Sequence, residues 1–414
     1  MLEYLLVGVS FLGIWLTIIW LHFLVGDDVE KELHTSDLPD LTVIVPVFNE
    51  EKTILKTLVS LRGVDYPKDK LKVIVSDDGS SDRTMSIVKG FIQSDHSLDV
   101  SLISDRNSGK GAAINKALDK VRSRLFVVMD ADSRVRPDAL KKAVGYFSDE
   151  HIGAVISRVV VDSPKNLLQR MQHFEYILAN LLRKVMHNFG TLAITHGAFS
   201  VFRTSLIKKL GGFDSDRNNI TEDLEIALRL KDNGFRVVMA HDAVGFTVAP
   251  SSVRKLWRQR IRWYRGYLFN HWKYRRLFFS SRQGIFGMFQ LPVNVIAITL
   301  SIAYFSLISV NLIKSLFNFI SRSLTIPNYF AENFLNLPSL RELLLAKDFQ
   351  VYVPIVFAFF LTVALVVFAH KFFKEKISKS IVPAISYFIV MPYFTAGNWL
   401  DSVRKELFRS KRKW

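Results

Sequence analysis

The sequence predicts an α/β domain with a mostly parallel sheet, set between transmembrane and interfacial helices. Three observations carry this. Short β-branched runs that end in acidic or Gly/Ser clusters alternate with stretches of helical periodicity. Residues 4–25 pass 22 positions without an acid, a lysine or an arginine, enough to cross a hydrocarbon core of about 30 Å. The segment from Arg254 to Arg282 carries ten Lys/Arg and no Asp or Glu, a stripe suited to anionic headgroups or a polyanionic small substrate.

Leu41 to Val47 (LTVIVPV) is the first strand, ended by Phe48-Asn49-Glu50, and residues 51–62 follow with helical periodicity. Leu71 to Val75 is the second, closed by Ser76-Asp77-Asp78-Gly79-Ser80, with Ser81 or Asp82 available to cap the next helix. Leu125 to Met129 is another. Continuous apolar strands of this kind belong to parallel sheets covered on both faces, which bind ligands at the carboxyl ends of the strands. The acidic clusters lie at those ends. Leu167, Met171, Phe174, Leu178, Leu181 and Val185 recur at three and four residues, so residues 164–188 form an amphipathic helix, read as packing on the sheet rather than lying on a membrane.

The organisation expected is an anchor at 1–28, a catalytic-type domain at 36–250, basic interfacial helices at 251–290, transmembrane helices at 291–400 and a basic tail at 401–414. A cleaved signal peptide would need a basic start and a shorter apolar stretch, so the anchor is read as retained. The runs 284–320, 350–369 and 381–398 are further membrane candidates, which makes a polytopic protein. Three simple crossings would put the Lys/Arg-rich tail outside, against the positive-inside tendency. Either an interfacial or re-entrant piece lies near Pro292, the reading preferred here, or the final segment does not fully cross. There is no cysteine, which excludes a disulfide scaffold, thiol catalysis and thiolate metal sites. Nucleic acid is not expected as a partner of the +17 chain, because the basic stripe abuts a membrane segment.

Asp130 and Asp132 follow a strand directly, and residues i and i+2 of an extended segment point the same way, so both can reach one divalent cation. An isolated pair of this type is more often a helix cap, and Asp77-Asp78-Gly79-Ser80 alone is more often a turn. Arg106-Asn107-Ser108-Gly109-Lys110-Gly111 sets a lysine between glycines at a helix start, where backbone and ammonium can approach phosphate. Together these point to a nucleotide diphosphate with a metal. Thr221-Glu222-Asp223 supplies a carboxylate at a helix start, a dipole partner or a general base. Gln259, Arg262 and Trp263 share a helical face on which an amide, a guanidinium and an indole could meet one ligand.

Taken in order, VPVFNE, SDDGSSD, the Lys110 loop, DAD, TED and QRIRW resemble the family 2 glycosyltransferases of the GT-A fold. They are similar in particular to the membrane-embedded synthases of cellulose, chitin, hyaluronan and poly-N-acetylglucosamine. The resemblance covers roughly residues 40–270 and the flanking membrane segments. It implies nucleotide contacts from Pro46, Asn49, Glu50, Asp77, Asp78, Lys110 and Asp130, and Mg²⁺ or Mn²⁺ on Asp130 and Asp132. It implies Asp223 as base with Glu222 beside it, and Gln259, Arg262 and Trp263 near the diphosphate and acceptor. His196 and Gly197 would lie at the acceptor site, His196 standing where processive members have a cysteine.

The function expected is therefore inverting, metal-dependent transfer from a UDP-sugar to a growing polysaccharide at the membrane, catalysed by the cytosolic domain of a multi-pass plasma-membrane protein. The alternative is addition of one sugar to a lipid acceptor such as a polyprenyl phosphate. Membrane lipids are partners in both, and GlcNAc is preferred over glucose and mannose by resemblance alone.

Overall fold

The computed structural model describes residues 38–335, 349–408, 410 and 412, and, before these, residues 8, 11, 13–15, 18 and 19. The expected anchor at 1–28 lies mostly outside them. The domain opens with β1 (Leu41–Val47), α1 (Ile54–Arg62), β2 (Leu71–Asp77), α2 (Thr84–Ser94), β3 (Asp99–Ser104), α3 (Lys110–Lys120) and β4 (Leu125–Val128). It continues with β5 (Arg134–Val135), α4 (Ala139–Val144), β6 (Ile152–Val161), α5 (Leu167–Asn188), β7 (Ser200–Arg203) and α6 (Thr204–Lys209). It closes with α7 (Glu222–Asp232), β8 (Arg236–Thr247) and α8 (Val253–Lys273).

The strands form one eight-stranded sheet in the order β3-β2-β1-β4-β7-β6-β8-β5. The first four are parallel, β7 runs against both β4 and β6, and β6 pairs parallel with β8. All seven positions of β1 are buried, as a central strand with helices on both faces requires. One face carries α1, α2 and α4 through Ile54, Leu58, Val88 and Leu140. The other carries α3, α6 and α7 through Ile114, Ile207 and Ile226. Each such full burial contributes about 1.5–3 kcal/mol.

Helix α5 begins with a capping box. The Asn166 side chain accepts from the Gln169 N–H at 2.9 Å, and the Gln169 side-chain Oε1 accepts from the Asn166 N–H at 3.4 Å. It packs on β6 and β8, but Phe174, Ile177 and Leu181 of its apolar stripe turn toward the later helices, Phe174 meeting Tyr387 and Phe388 while Ile177 and Leu181 cluster with Ala369 and Phe373.

Beyond the domain, a π-helical turn (Phe286–Gln290) leads without a break into α9 (Leu291–Thr325). Pro292 falls directly after the π-helical turn, where α9 begins. A short helix (Tyr329–Leu335), then α10 (Phe349–Phe372) and α11 (Ile381–Leu407), follow. The runs Phe286–Thr325 and Ile381–Leu407 are long and apolar enough to cross a membrane.

Helix α11 nevertheless lies against the domain along most of its length. Tyr387 meets Phe174 edge-on, Phe394 meets Trp257, and Trp399 stacks on Tyr264 with ring centroids 4.2 Å apart. Glu406 pairs with Arg265 at 2.6 Å. The turn before it is also docked, Arg158 Nη1 donating to the Phe373 carbonyl at 2.9 Å. Both α11 and the turn before it are thus held on the domain.

Candidate active site

The motif residues collect at the carboxyl ends of β1, β2 and β4. Register pairing sets Pro46 opposite Ser76 and Val47 opposite Asp77, with Pro46 itself buried in β1. Asn49 turns the chain with φ 56°, a left-handed conformation asparagine tolerates. Its side-chain Oδ1 accepts from the Ser81 N–H at 2.8 Å, and its backbone N–H donates to Ser80 Oγ at 2.9 Å. The Glu50 N–H donates to Thr84 Oγ1 at 2.8 Å. The end of β1 is thus tied to the loop after β2.

Asp77 accepts from the N–H groups of Gly79 and Ser80, each at 3.2 Å, and from Ser104 Oγ at 2.9 Å. Asp78 accepts from the Ser108 N–H at 2.7 Å and the Gly109 N–H at 2.9 Å. Their carboxylates are spent on backbone donors and shape the loop that leads into α3. In α3, a Cβ on Gly111 would stand 2.1 Å from the Asp214 carbonyl oxygen, so only glycine lets the 214–219 segment close on this loop.

Lys110 bridges two motifs. Its Nζ lies 2.7 Å from Asp130 Oδ1 and 2.9 Å from Glu222 Oε1, joining the end of β4 to the start of α7. These two carboxylates and Asp223 raise the lysine's pKa against the effect of burial, and it stays charged. The Asp130 N–H donates to the Gly197 carbonyl at 2.7 Å. A Cβ on Gly197 would lie 2.5 Å from both Asp130 carboxylate oxygens and 2.6 Å from Lys110 Nζ, so the 196–199 segment forms the floor of this ion pair.

Around it the acids are crowded. Burial, then the charges of Asp130 and Glu50, push the Asp132 carboxyl up to about 7. Burial also raises Glu50, with further contributions from Asp130 and Asp82. Asp223 is pushed up to about 6 by burial and by Glu222, while Lys110 and Arg262 act in the opposite direction. Arg262 of α8 therefore feels the same charge cluster. Among the described residues, no three His, Asp or Glu side chains converge as a ready-made metal cage.

His196 presents both ring nitrogens without hydrogen-bond partners. Burial and the nearby Arg183 push its pKa down to about 3, so it is neutral at physiological pH. Gln259 Oε1 is likewise buried and unpartnered. The Trp263 ring is covered by the Arg260 guanidinium at 4.4 Å, which is itself paired with Glu175 at 2.8 Å.

Two contributors carry no sequence signal. Asn270, buried in α8, donates to Thr221 Oγ1 and Asn219 Oδ1 at 3.0 Å each and fixes the start of α7. Glu225 binds Arg229, Lys273 and Tyr274 and ties α7 to the end of α8. Neither belongs to a motif with recognisable spacing.

A family model described as "Glycosyltransferase like family 2" matches residues 39–266. A probable glycosyltransferase, YdaM, of Bacillus subtilis is 31% identical over 261 residues, 61% of this chain and 62% of that protein. A poly-β-1,6-N-acetyl-D-glucosamine synthase of Staphylococcus aureus is 27% identical over 254 residues, 61% of this chain and 60% of that protein. The match thus spans about three-fifths of the length of these curated relatives. Among solved structures, the mannosyltransferase PcManGT from Pyrobaculum calidifontis, in complex with GDP-Man and Mn²⁺, aligns over 99% of this chain and 100% of its own. The TM-score is 0.64 and the identity 22%, which shows the shared fold, an α/β sheet of GT-A type.

Proposed function

The chain belongs to glycosyltransferase family 2, and we propose that it transfers a sugar, with inversion, from a UDP-sugar to a growing polysaccharide at the membrane. The observation that carries this reading is the charge cluster at one end of the sheet. Asp130, Asp132 and Glu50 repel one another there, Lys110 pairs with Asp130 and opposes the charge at Asp132, and Lys110 and Arg262 oppose that at Asp223.

The donor set fits a hard divalent cation. It is all oxygen, and it holds Asp132 in a state whose ionisation is opposed by its neighbours, an opposition that a cation would relieve. Asp130 and Asp132 would hold Mg²⁺ or Mn²⁺, which supplies countercharge to a departing diphosphate. The chain's own residues do the rest. Asp223 accepts the proton of the acceptor hydroxyl as that oxygen attacks the anomeric carbon opposite the nucleotide, and the bond to the diphosphate oxygen breaks in the same displacement. Arg262 and Lys110 face the negative charge that accumulates on the diphosphate. Pro46, Asn49, Glu50, Asp77 and Asp78 form the walls of the nucleotide pocket. His196, Gly197, Gln259 and Trp263 face the acceptor, where unpartnered polar atoms on His196 and Gln259 await hydroxyl groups.

The domain faces the cytosol, where UDP-sugars are made. Helices α9 and α10 cross the membrane, and α11 lies along the domain with its outer apolar face, Ile385, Ile389 and Tyr393, toward lipid. Incubating the full chain in detergent with individual UDP-sugars and Mg²⁺ or Mn²⁺, then sizing the product, tests the reading. A ladder of polymer lengths supports it, a single glycolipid supports one-step transfer to a lipid, and no UDP release with any donor overturns both.

A further inference from the structure

A cleft of about 370 Å³ opens between the segment after β5, the middle of β6 and β8, and the turn that follows α10. None of its lining residues belongs to the carboxylate site. Arg136, Lys142, Arg158 and Lys374 line it against two carboxylates, Asp242 and Glu375, so its walls carry an excess of positive charge.

The cations are only partly satisfied. Arg136 is forked onto Asp138 at 2.8 and 2.7 Å, and Lys142 reaches the same carboxylate at 3.3 Å. Arg158 donates Nη1 to the Phe373 carbonyl and lies 4.0 Å from Glu375, while its Nε is buried without a hydrogen-bond partner. Lys374 is exposed. Two guanidinium groups and two ammonium groups around a cleft large enough for a phosphate ester match the chemistry by which arginine and lysine hold phosphate.

The surroundings indicate where that phosphate comes from. The turn joins two apolar helices; along it exposed Lys374, Lys376 and Lys379 surround exposed Ile377, and exposed Ile381, Val382 and Ile385 follow in the first turns of α11. Apolar side chains next to lysines are the pattern of a segment seated at headgroup level, stems in the acyl boundary and ammonium groups in water.

We propose that this cleft binds the phosphate of an anionic phospholipid headgroup and so clamps the catalytic sheet to the bilayer through Arg136, Lys142, Arg158 and Lys374. The inference rests on the reading of α9 and α10 as membrane-crossing.

The test is native mass spectrometry of the full chain in a neutral detergent, titrated with phosphatidylglycerol or with phosphatidylcholine of the same acyl chains. The wild type is expected to retain one phosphatidylglycerol in preference to phosphatidylcholine. Lys142→Gln and Lys374→Gln should each lower that preference by about fivefold, the scale of one cation at a membrane surface. Lys56→Gln and Lys89→Gln, exposed on helices away from the cleft, should leave it unchanged. No preference in the wild type, or an equal preference in the cleft variants, overturns the proposal. Millimolar inorganic phosphate added to the complex separates the two sources of the anion: retention of the lipid supports a headgroup site, and its displacement assigns the cleft to soluble phosphate and overturns it. Carbonate extraction of membranes that carry the chain tests the membrane reading separately. Retention of the chain in the pellet without any lipid preference defeats the cleft alone, and release into the supernatant defeats the membrane reading on which it rests.

Discussion

Two pairs of aspartates end the strands on either side of β1, and their surroundings give them opposite roles. Asp77 and Asp78 accept hydrogen bonds from four backbone N–H groups, those of Gly79, Ser80, Ser108 and Gly109, and from the hydroxyls of Ser104 and Ser108. Asp130 has a lysine as its partner, and Asp132 has a hydroxyl contact at 3.3 Å with Ser133 and two acidic neighbours. A carboxylate surrounded by donors holds a loop in shape, whereas one surrounded by other carboxylates stores repulsion that a cation or a proton can relieve. The difference lies in the supply of N–H groups, which follows from the turn each pair sits in.

This contrast can be broken by exchanging what each pair needs. Asp132→Ala, or chelation of divalent metal with EDTA, should lower sugar transfer by about 10²–10³-fold, the scale of losing one preorganised electrostatic element. Initial rates of UDP release measure it, and readdition of Mn²⁺ should rescue the chelated wild type but not the variant. Lys110→Met removes the shared partner of Asp130 and Glu222 and should weaken UDP-sugar binding by about 10- to 100-fold, as expected for a lost hydrogen bond to charge. Titration calorimetry with the donor reads this directly.

The pH profile sharpens the same comparison. Asp223 accepts a proton only when ionised, and its carboxyl is pushed up to about 6. Turnover should therefore rise through that pH and fall about tenfold one unit below it. For stability the sign is reversed. The folded chain keeps a proton on Asp132 that the unfolded chain has lost, so this contribution is present at low pH and declines as pH rises from about 4 toward about 7. Asp132→Asn should flatten that decline in melting curves recorded without metal. The smallest effect is expected at the other pair. Asp78→Asn loses one of two acceptor oxygens and should weaken donor binding by about fivefold, the scale of one ordinary hydrogen bond, with no change in the metal concentration required.

The parts of the fold that were legible in the sequence are those set by local pattern. β1 spans Leu41–Val47 as read, because a central parallel strand is apolar at every position. The helix read over 51–62 begins at Ile54, residues 51–53 forming turns that close on the Glu50 carbonyl. β7 is four residues long, and its antiparallel placement between β4 and β6 is a tertiary choice with no periodic signal. The site was legible as motifs but not as pairings. Lys110 and Glu222 lie far apart in sequence and meet because α3 and α7 cover the same face of the sheet. The seat of α11 was hidden for another reason. Hydropathy records transfer from water, and a face that meets Phe174, Trp257 and Tyr264 reads the same as one that meets lipid.

The most direct measurement is single-turnover transfer by Asp223→Asn, with UDP-sugar affinity determined on the same preparation. The account predicts a rate lowered by about 10²–10⁴-fold, the range for a positioned general base, with donor affinity within a few-fold of the wild type. Transfer within tenfold of the wild type would contradict it, because the proton of the acceptor hydroxyl would then leave by another route.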